Sequence, residues 1–341
     1  MNILLISGTG FIGARVVQQL IQDGHHVSVF HRGQTQSSLP PSVNHILGDR
    51  RNLMDFVREF QRLAPDVVLD MLPYTEQDAV ELMRTFRTLT RRIVAISSMD
   101  VYQAYGCFRR SETCKLTSSI SFDETAPVRQ NLYPYRAYAK SPDDLLYNYD
   151  KILVERIVMN QEQLPSTILR LPKVYGDGDG QRYLSEYVKR IEDQRSAILL
   201  ETGKAQWRWT RGYVENVALA IAMAITTERA SNQIYNVGEV DALTETEWVE
   251  CIGHAAQWEG VVMPVARELL PPTLVEPYDW NYNLVGETSR IRQELGYQET
   301  ISRSQALKRT VVWEQAQLRN ELKRQTNYAD EDAVLNRLDL K

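Results

Sequence analysis

The first fifteen residues limit this chain to few folds. Asn2 to Ser7 is a short run carrying Ile3, Leu4, Leu5 and Ile6, the pattern of a strand buried on both faces of a parallel sheet. It leads into Gly8-Thr9-Gly10-Phe11-Ile12-Gly13, after which Val16, Val17, Leu20 and Ile21 repeat at helical spacing. Strand, glycine turn and helix start in that order form a cradle for dinucleotide phosphates. Gly8 is expected to permit the tight turn, Gly10 to let a pyrophosphate approach the backbone, and Gly13 to let helix and strand pack closely. Free N–H groups at the helix start, with the positive end of its dipole, then face the phosphates. Thr9, Phe11 and Ile12 complete the expected cofactor turn.

Downstream, strand and helix patterns alternate, which predicts an α/β fold with a doubly wound parallel sheet of Rossmann type. Strands are expected at His26–Phe30, Val43–Leu47, Asp66–Leu69 and Arg92–Ser97, with helices over 52–63 and 75–90. Dinucleotide folds for NAD usually end the second strand on an acidic residue that binds the ribose 2′-hydroxyl. Here the end reads His31-Arg32-Gly33. An arginine there can accept a 2′-phosphate in bidentate fashion, which tilts the cofactor to NADP, with NAD as second choice. A solvated arginine in a turn is the competing reading. Asp49, after the third strand, is placed to bond the adenine amino group, with Arg50 beside it.

The 341 residues carry a net charge of −5 without charge blocks, so no basic patch points to nucleic acid. No apolar run approaches the roughly 20 residues that span a bilayer, and residues 2–6 already form a strand rather than a leader. Cys107, Cys114 and Cys251 match no metal spacing, so no metal site is expected, and free thiols in a reducing cytoplasm are the plain reading.

Further motifs follow in order: Ser97-Ser98-Met99-Asp100-Val101-Tyr102 after the fifth strand, then Tyr147 and Lys151 with Glu155 four residues on. Leu169 to Gly176 reads LRLPKVYG, and Tyr235 to Gly238 reads YNVG. With these the chain resembles the extended short-chain dehydrogenase/reductases, the NAD-dependent epimerase/dehydratase family, to about residue 320. The resemblance implies a Rossmann domain with a smaller C-terminal substrate-binding lobe. It divides the chain into 1–175 with 212–238 for NAD(P), 176–211 with 239–300 for substrate, a C-terminal helix over 301–325 and a polar tail over 326–341, partly ordered only.

The chemistry can be argued from the residues. Tyr147 and Lys151 at i and i+4 on one helix would share a face. A tyrosine at its reference pKa of about 10 is phenolate about once in a thousand at neutral pH. A neighbouring ammonium would raise that fraction and let Tyr147 take a hydroxyl proton as hydride leaves the same carbon. By resemblance Ser98 holds the substrate oxygen, Tyr147 is the acid–base group and Lys151 also holds the nicotinamide ribose. Tyr149 and Tyr135 lack a lysine four residues on and do not compete on this pattern.

Three departures limit the carry-over. Ser7 stands where many members have the first glycine. Lys173 stands where nucleotide-sugar enzymes commonly have asparagine, and would meet a phosphate or carboxylate. The segment from Gln206 to Ala218 keeps the family's apolar framework but moves its polar residues, so Arg208 or Arg211 is expected either to clamp an anionic group or to sit at the surface. Asp100 is the acidic residue beside the serine.

The expected function is NAD(P)-dependent hydride transfer at a secondary alcohol or carbonyl of a sugar-like or nucleotide-linked small molecule, with the net outcome (reduction, epimerisation or dehydration) left open. The alternative is a non-catalytic NAD(P)-binding regulator or RNA-associated protein of the same fold. A homodimer is expected through the family's usual helices, with Met83, Phe86 and Leu89 on one and Ile152 and Met159 on the other. The segment from Gln103 to Leu146 is longer than the family's usual connection and rich in aromatics. It is expected to cover the substrate pocket.

Overall fold

Seven strands, β1 (Asn2–Ile6), β2 (His26–His31), β3 (Asn44–Leu47), β4 (Val67–Asp70), β5 (Arg92–Ser98), β6 (Ser166–Leu171) and β7 (Gln233–Asn236), form one sheet in the computed structural model. The structure describes residues 1–35, 39–114, 121–161, 163–320 and 326–339. The strands lie in the order β7-β6-β5-β4-β1-β2-β3, and every pairing is parallel. The order reverses between β1 and β4, and in such sheets ligands bind beyond the carboxyl ends of the strands at that point.

Alternate side chains of β1 serve opposite faces, as the period of two requires. Ile3 and Leu5 pack with helix α1 (Phe11–Gln22) through Val16, Val17 and Leu20. Leu4 and Ile6 pack on the other face with Phe86 of α2 (Glu76–Phe86) and Val154 of α3 (Lys151–Met159). A fourth helix, α4 (Val214–Thr226), buries Ala218, Ala220, Ala222 and Ala224 against the α1 side. The small residues let two helices share one face of the sheet.

The stretch expected as one helix over 52–63 is two pieces, a 3-10 segment Arg50–Phe56 and a helix Val57–Leu63. A further apolar cluster gathers Tyr175, Leu184, Val188, Ile198, Trp248 and Leu307. The expected C-terminal helix runs Arg303–Asn320, within the expected span. The expected partly ordered tail is instead a helix, Ala329–Asp339. It buries Val334 against Leu199, Val265 and Leu270 and pairs Glu331 with Arg190 at 2.8 Å. Val334 is therefore a core residue, with Leu335 and Leu338 packed against it.

Two other expectations are corrected. Met83, Phe86 and Ile152 are buried, and Leu89 and Met159 pack against the same interior cluster as Phe86. They pack within the chain, so these five residues do not themselves argue for a dimer. Cys107 and Cys114 are joined by a disulfide, and Cys251 is the free cysteine. The pair is brought together because helix Gln103–Phe108 ends in a tight return, where Ser111 N–H bonds the Gly106 carbonyl at 2.9 Å. Non-reducing thiol titration of the denatured chain should therefore count one thiol rather than three. Closing so short a loop constrains the unfolded chain by about 2–3 kcal/mol, so a reducing agent or Cys114→Ser should lower Tm by a few degrees. Three reactive thiols in the denatured protein would exclude the bond.

Candidate active site

The glycine turn begins with a residue that is not glycine. Ser7 has φ of 67°, in the left-handed region where a side chain is strained. Its N–H donates to the Phe30 carbonyl at 2.9 Å. The left-handed residue of the turn is thus Ser7, one position before the Gly8 expected to permit it. Gly13 meets its expected role, since a Cβ there would lie 2.9 Å from the Gly8 backbone. A Cβ on Gly10 would meet nothing within 4 Å, so that space is open to a ligand. The start of α1 has neither a side-chain cap nor an acidic residue in its first turn, which leaves its N–H groups to an anion.

This turn floors one end of a cavity of about 1020 Å³ that runs along the carboxyl ends of the central strands. Thr9, Gly10, Phe11, Ile12 and Gly13 line it, as do His31, Arg32, Asp49 and Arg50. Not all of these are free. His31 is bonded on both ring nitrogens, to His45 at 2.9 Å and to the Gly33 N–H at 3.2 Å. Asp49 caps Arg51 and bonds its guanidinium, which holds the carboxyl down at about 2. The Arg50 guanidinium is spent on Asp70 at 2.9 Å and Asp78 at 3.3 Å, so only its backbone remains for a ligand. Arg32 is exposed and has no carboxylate partner among the described residues. The residues fit a dinucleotide.

The other end is lined by Ser98, Asp100, Tyr149 and Lys151. Ser98 ends β5, and its hydroxyl oxygen accepts the Asp100 N–H at 3.1 Å. Its own proton remains available to a substrate oxygen. Lys151 is buried and donates to the carbonyls of Pro73 at 2.9 Å and Ile96 at 2.8 Å. Burial brings its ammonium down to about 8, against the pull of Asp70 and Asp100.

Tyr147 is not in this constellation. Asp150 is the N-cap of α3, its carboxylate accepting the Ile152 N–H at 2.9 Å, so the helix begins at Lys151. Tyr147 belongs to a separate short turn, Leu145–Asn148, and its ring lies 4.7 Å from the Arg136 guanidinium. It does not line the cavity, and the expected i, i+4 face does not exist.

Tyr149 occupies the place instead. Its backbone is bridged to Thr75, and the next N–H, that of Asp150, bonds the Tyr74 carbonyl at 3.0 Å. Its hydroxyl reaches Asp100 Oδ2 at 3.3 Å, and that oxygen also accepts the Tyr135 hydroxyl at 2.8 Å. Burial and the Asp100 carboxylate both push the Tyr149 phenol well above its ordinary pKa. The tyrosine is therefore held neutral, the opposite of the phenolate anticipated for this site. Buried Arg129 steadies the cluster by donating to the Asp100 carbonyl at 2.5 Å and standing 3.7 Å from Asp150.

Of the expected substrate residues, Asp100 and Lys173 line the cavity. Burial lowers the Lys173 ammonium, which bonds Gln181 and lies 4.8 Å from the centre of the Tyr183 ring. Arg208 and Arg211 do not line it. Arg211 is buried in an ion pair with Glu245, and Arg208 donates to the Ala242 carbonyl at 2.9 Å near Glu247. Both brace the lobe. Tyr149 and Tyr135, set aside on the sequence pattern, lie on the cavity wall, as do Tyr105, Arg109 and Trp209, which sequence reasoning missed. An aspartate directly before Lys151 was the available signal for Tyr149, because aspartate is a favoured N-cap.

Sheet order, glycine turn and crevice together define a dinucleotide-binding domain of Rossmann type. The chain belongs to the NAD dependent epimerase/dehydratase family, whose model matches residues 3–238. It is 24% identical over 264 residues to 2'-dehydrokanamycin reductase of Streptomyces kanamyceticus, covering 75% of this chain and 66% of that one, just under two thirds of its length. It is 22% identical over 326 residues to UDP-N-acetyl-alpha-D-glucosaminuronate decarboxylase of Bacillus cytotoxicus, covering 91% and 96%. Among solved structures, dTDP-glucose 4,6-dehydratase of Bacillus anthracis in complex with NAD superposes with a TM-score of 0.69 at 19% identity, covering 94% and 98%. UDP-glucose 4-epimerase of Thermotoga maritima with UDP-glucose gives 0.66 at 18%, covering 93% and 100%. At these identities the structural likeness speaks for the fold. Among the described residues no helix is long and apolar enough to cross a membrane.

Proposed function

We propose that this protein oxidises or reduces a secondary alcohol or carbonyl on a sugar-like, nucleotide-linked substrate with a nicotinamide dinucleotide. The sheet portion, 1–175 with 212–238, would hold the cofactor, and 176–211 with 239–300 the substrate. The observation that carries this reading is one cavity lined at one end by the glycine turn and at the other by Ser98, Asp100, Tyr149 and Lys151. A bound nicotinamide supplies the acceptor or donor of hydride. Ser98 donates to the substrate oxygen. The hydroxyl proton passes to the Tyr149 oxygen as the Tyr149 proton moves to Asp100, and the reverse path serves reduction. Lys151 sets a positive charge beside the pair. The test is cofactor-coupled turnover: purified protein should change reduced-nicotinamide absorbance with a sugar nucleotide, and no change across a broad panel of them would reject the reading.

We further propose NADPH as the tighter cofactor, because exposed Arg32 directly follows β2 and has no carboxylate partner among the described residues. A charge-assisted bond to the 2′-phosphate is worth about 1.5–3 kcal/mol. NADPH should bind roughly tenfold tighter than NADH by fluorescence titration, and Arg32→Gln should level the two. Equal affinities in the natural protein would refute it. A cytoplasmic location and a homodimer belong to the same reading, but the apolar helix face and the three free thiols no longer support them. Sedimentation settles the second.

A further inference from the structure

Arg109 is a half-buried charge that the hydride chemistry leaves unused. It follows helix Gln103–Phe108 and lies on the cavity wall. Its guanidinium stands 4.7 Å from the centre of the Tyr135 ring and 5.8 Å from that of Tyr105. One nitrogen, Nη2, donates to the Tyr135 hydroxyl at 2.7 Å, whereas Nη1 is buried without a partner. No carboxylate among the described residues pairs with it. Asp100, its nearest acidic neighbour along the hydrogen bonds, is reached only through Tyr135 and already takes two tyrosine hydroxyls.

Fully buried arginines of this chain are matched. Arg170 has Glu155, Arg211 has Glu245, and Arg92 has the carbonyls of Ile225 and Thr227. A charge removed from water without such a match costs far more than its packing returns. An unmatched guanidinium in a binding cavity therefore points to an anion supplied by the ligand.

We propose that Arg109 anchors a carboxylate on the sugar portion of the substrate, so that the chain selects sugar acids over neutral sugars. The inference rests on the proposed sugar-like substrate and narrows it. A carboxylate suits the site better than a phosphate for two reasons. Arg109 offers a single positive charge in an aromatic slot; Lys151 is spent on the Pro73 and Ile96 carbonyls, and Lys173 stands beyond Tyr105, Trp209 and Tyr183. These are linked by a Trp209–Tyr105 bond of 3.0 Å and a Trp209–Tyr183 ring distance of 5.6 Å. Moreover, Tyr135 touches both Arg109 and Asp100. The anchored charge is thus one side chain away from the acid–base pair.

The probe pair is D-glucuronate and its neutral methyl ester, titrated by ligand-detected NMR against the cofactor-loaded protein. The acid should bind about tenfold or more tightly than the ester, the difference a charge-assisted bond provides. Arg109→Met should abolish the difference and Arg109→Lys should keep part of it, both with unchanged cofactor affinity. Equal binding of acid and ester, no binding of either, or a preference that survives Arg109→Met would overturn the proposal. Failure of the natural protein to bind NAD(P) would instead reject the oxidoreductase reading beneath it.

Discussion

Tyr149→Phe is expected to lower turnover by about 10² to 10⁴-fold, the usual worth of a positioned acid–base group, while cofactor affinity stays within a few-fold of the natural protein. Tyr147→Phe should leave turnover nearly unchanged. The pair of variants separates two geometries. If α3 began upstream of Tyr147, that residue would share a face with Lys151 and its loss would be the damaging one. With Asp150 as the cap, the Tyr149 hydroxyl faces Asp100 at 3.3 Å. Removing its oxygen breaks the path from substrate to carboxylate. Steady-state kinetics with cofactor titrated in parallel decides it, and a Tyr147→Phe enzyme as crippled as Tyr149→Phe would contradict the arrangement.

The largest stability effect should come from Glu155. Its carboxylate takes Arg170 Nε at 3.0 Å and Nη2 at 2.7 Å, and accepts the Ser97 hydroxyl at 2.5 Å. Arg170 in turn donates to the Tyr102 hydroxyl at 2.8 Å, and Tyr102 donates to Asn236 Oδ1 at 2.7 Å. Helix α3 is so tied to β5, β6 and β7 directly beneath the cavity. Glu155→Ala would leave a guanidinium buried without its counter-charge, at a cost of about 3–5 kcal/mol. A double variant, Glu155→Leu with Arg170→Met, should recover much of that loss, because replacing a buried pair with packed apolar groups is often close to neutral. Denaturant midpoints measure both. A loss under 1 kcal/mol for the single variant would show the pair to be solvated.

The sheet was legible in the sequence because its signals are local. Short apolar runs, glycines at fixed offsets and the alternation of strand with helix located β1 to β5 and α1 within a few residues. The cofactor end of the site was legible for the same reason, since residues 8–13 are consecutive. The substrate end was not. Arg109 meets Tyr135, Arg211 meets Glu245 and Cys107 meets Cys114 through the path of the chain in space, and no periodicity announces such pairs. Tyr147 is a different failure. The helical pattern through 147–155 is real in the letters, but a capping aspartate inside it cuts the helix at Lys151. The final helix was readable in principle, from Val334, Leu335 and Leu338 at one-face spacing, yet its polar surroundings hid it.

The disulfide between Cys107 and Cys114 has a consequence for recognition as well as for stability. Arg109 lies inside the loop that the bond closes, so the backbone bearing it is hooped before any ligand arrives. A grip whose frame is already set forfeits less freedom on closing around its target. Opening the hoop would leave the same side chain with the same charge, but a hand that must first find its shape.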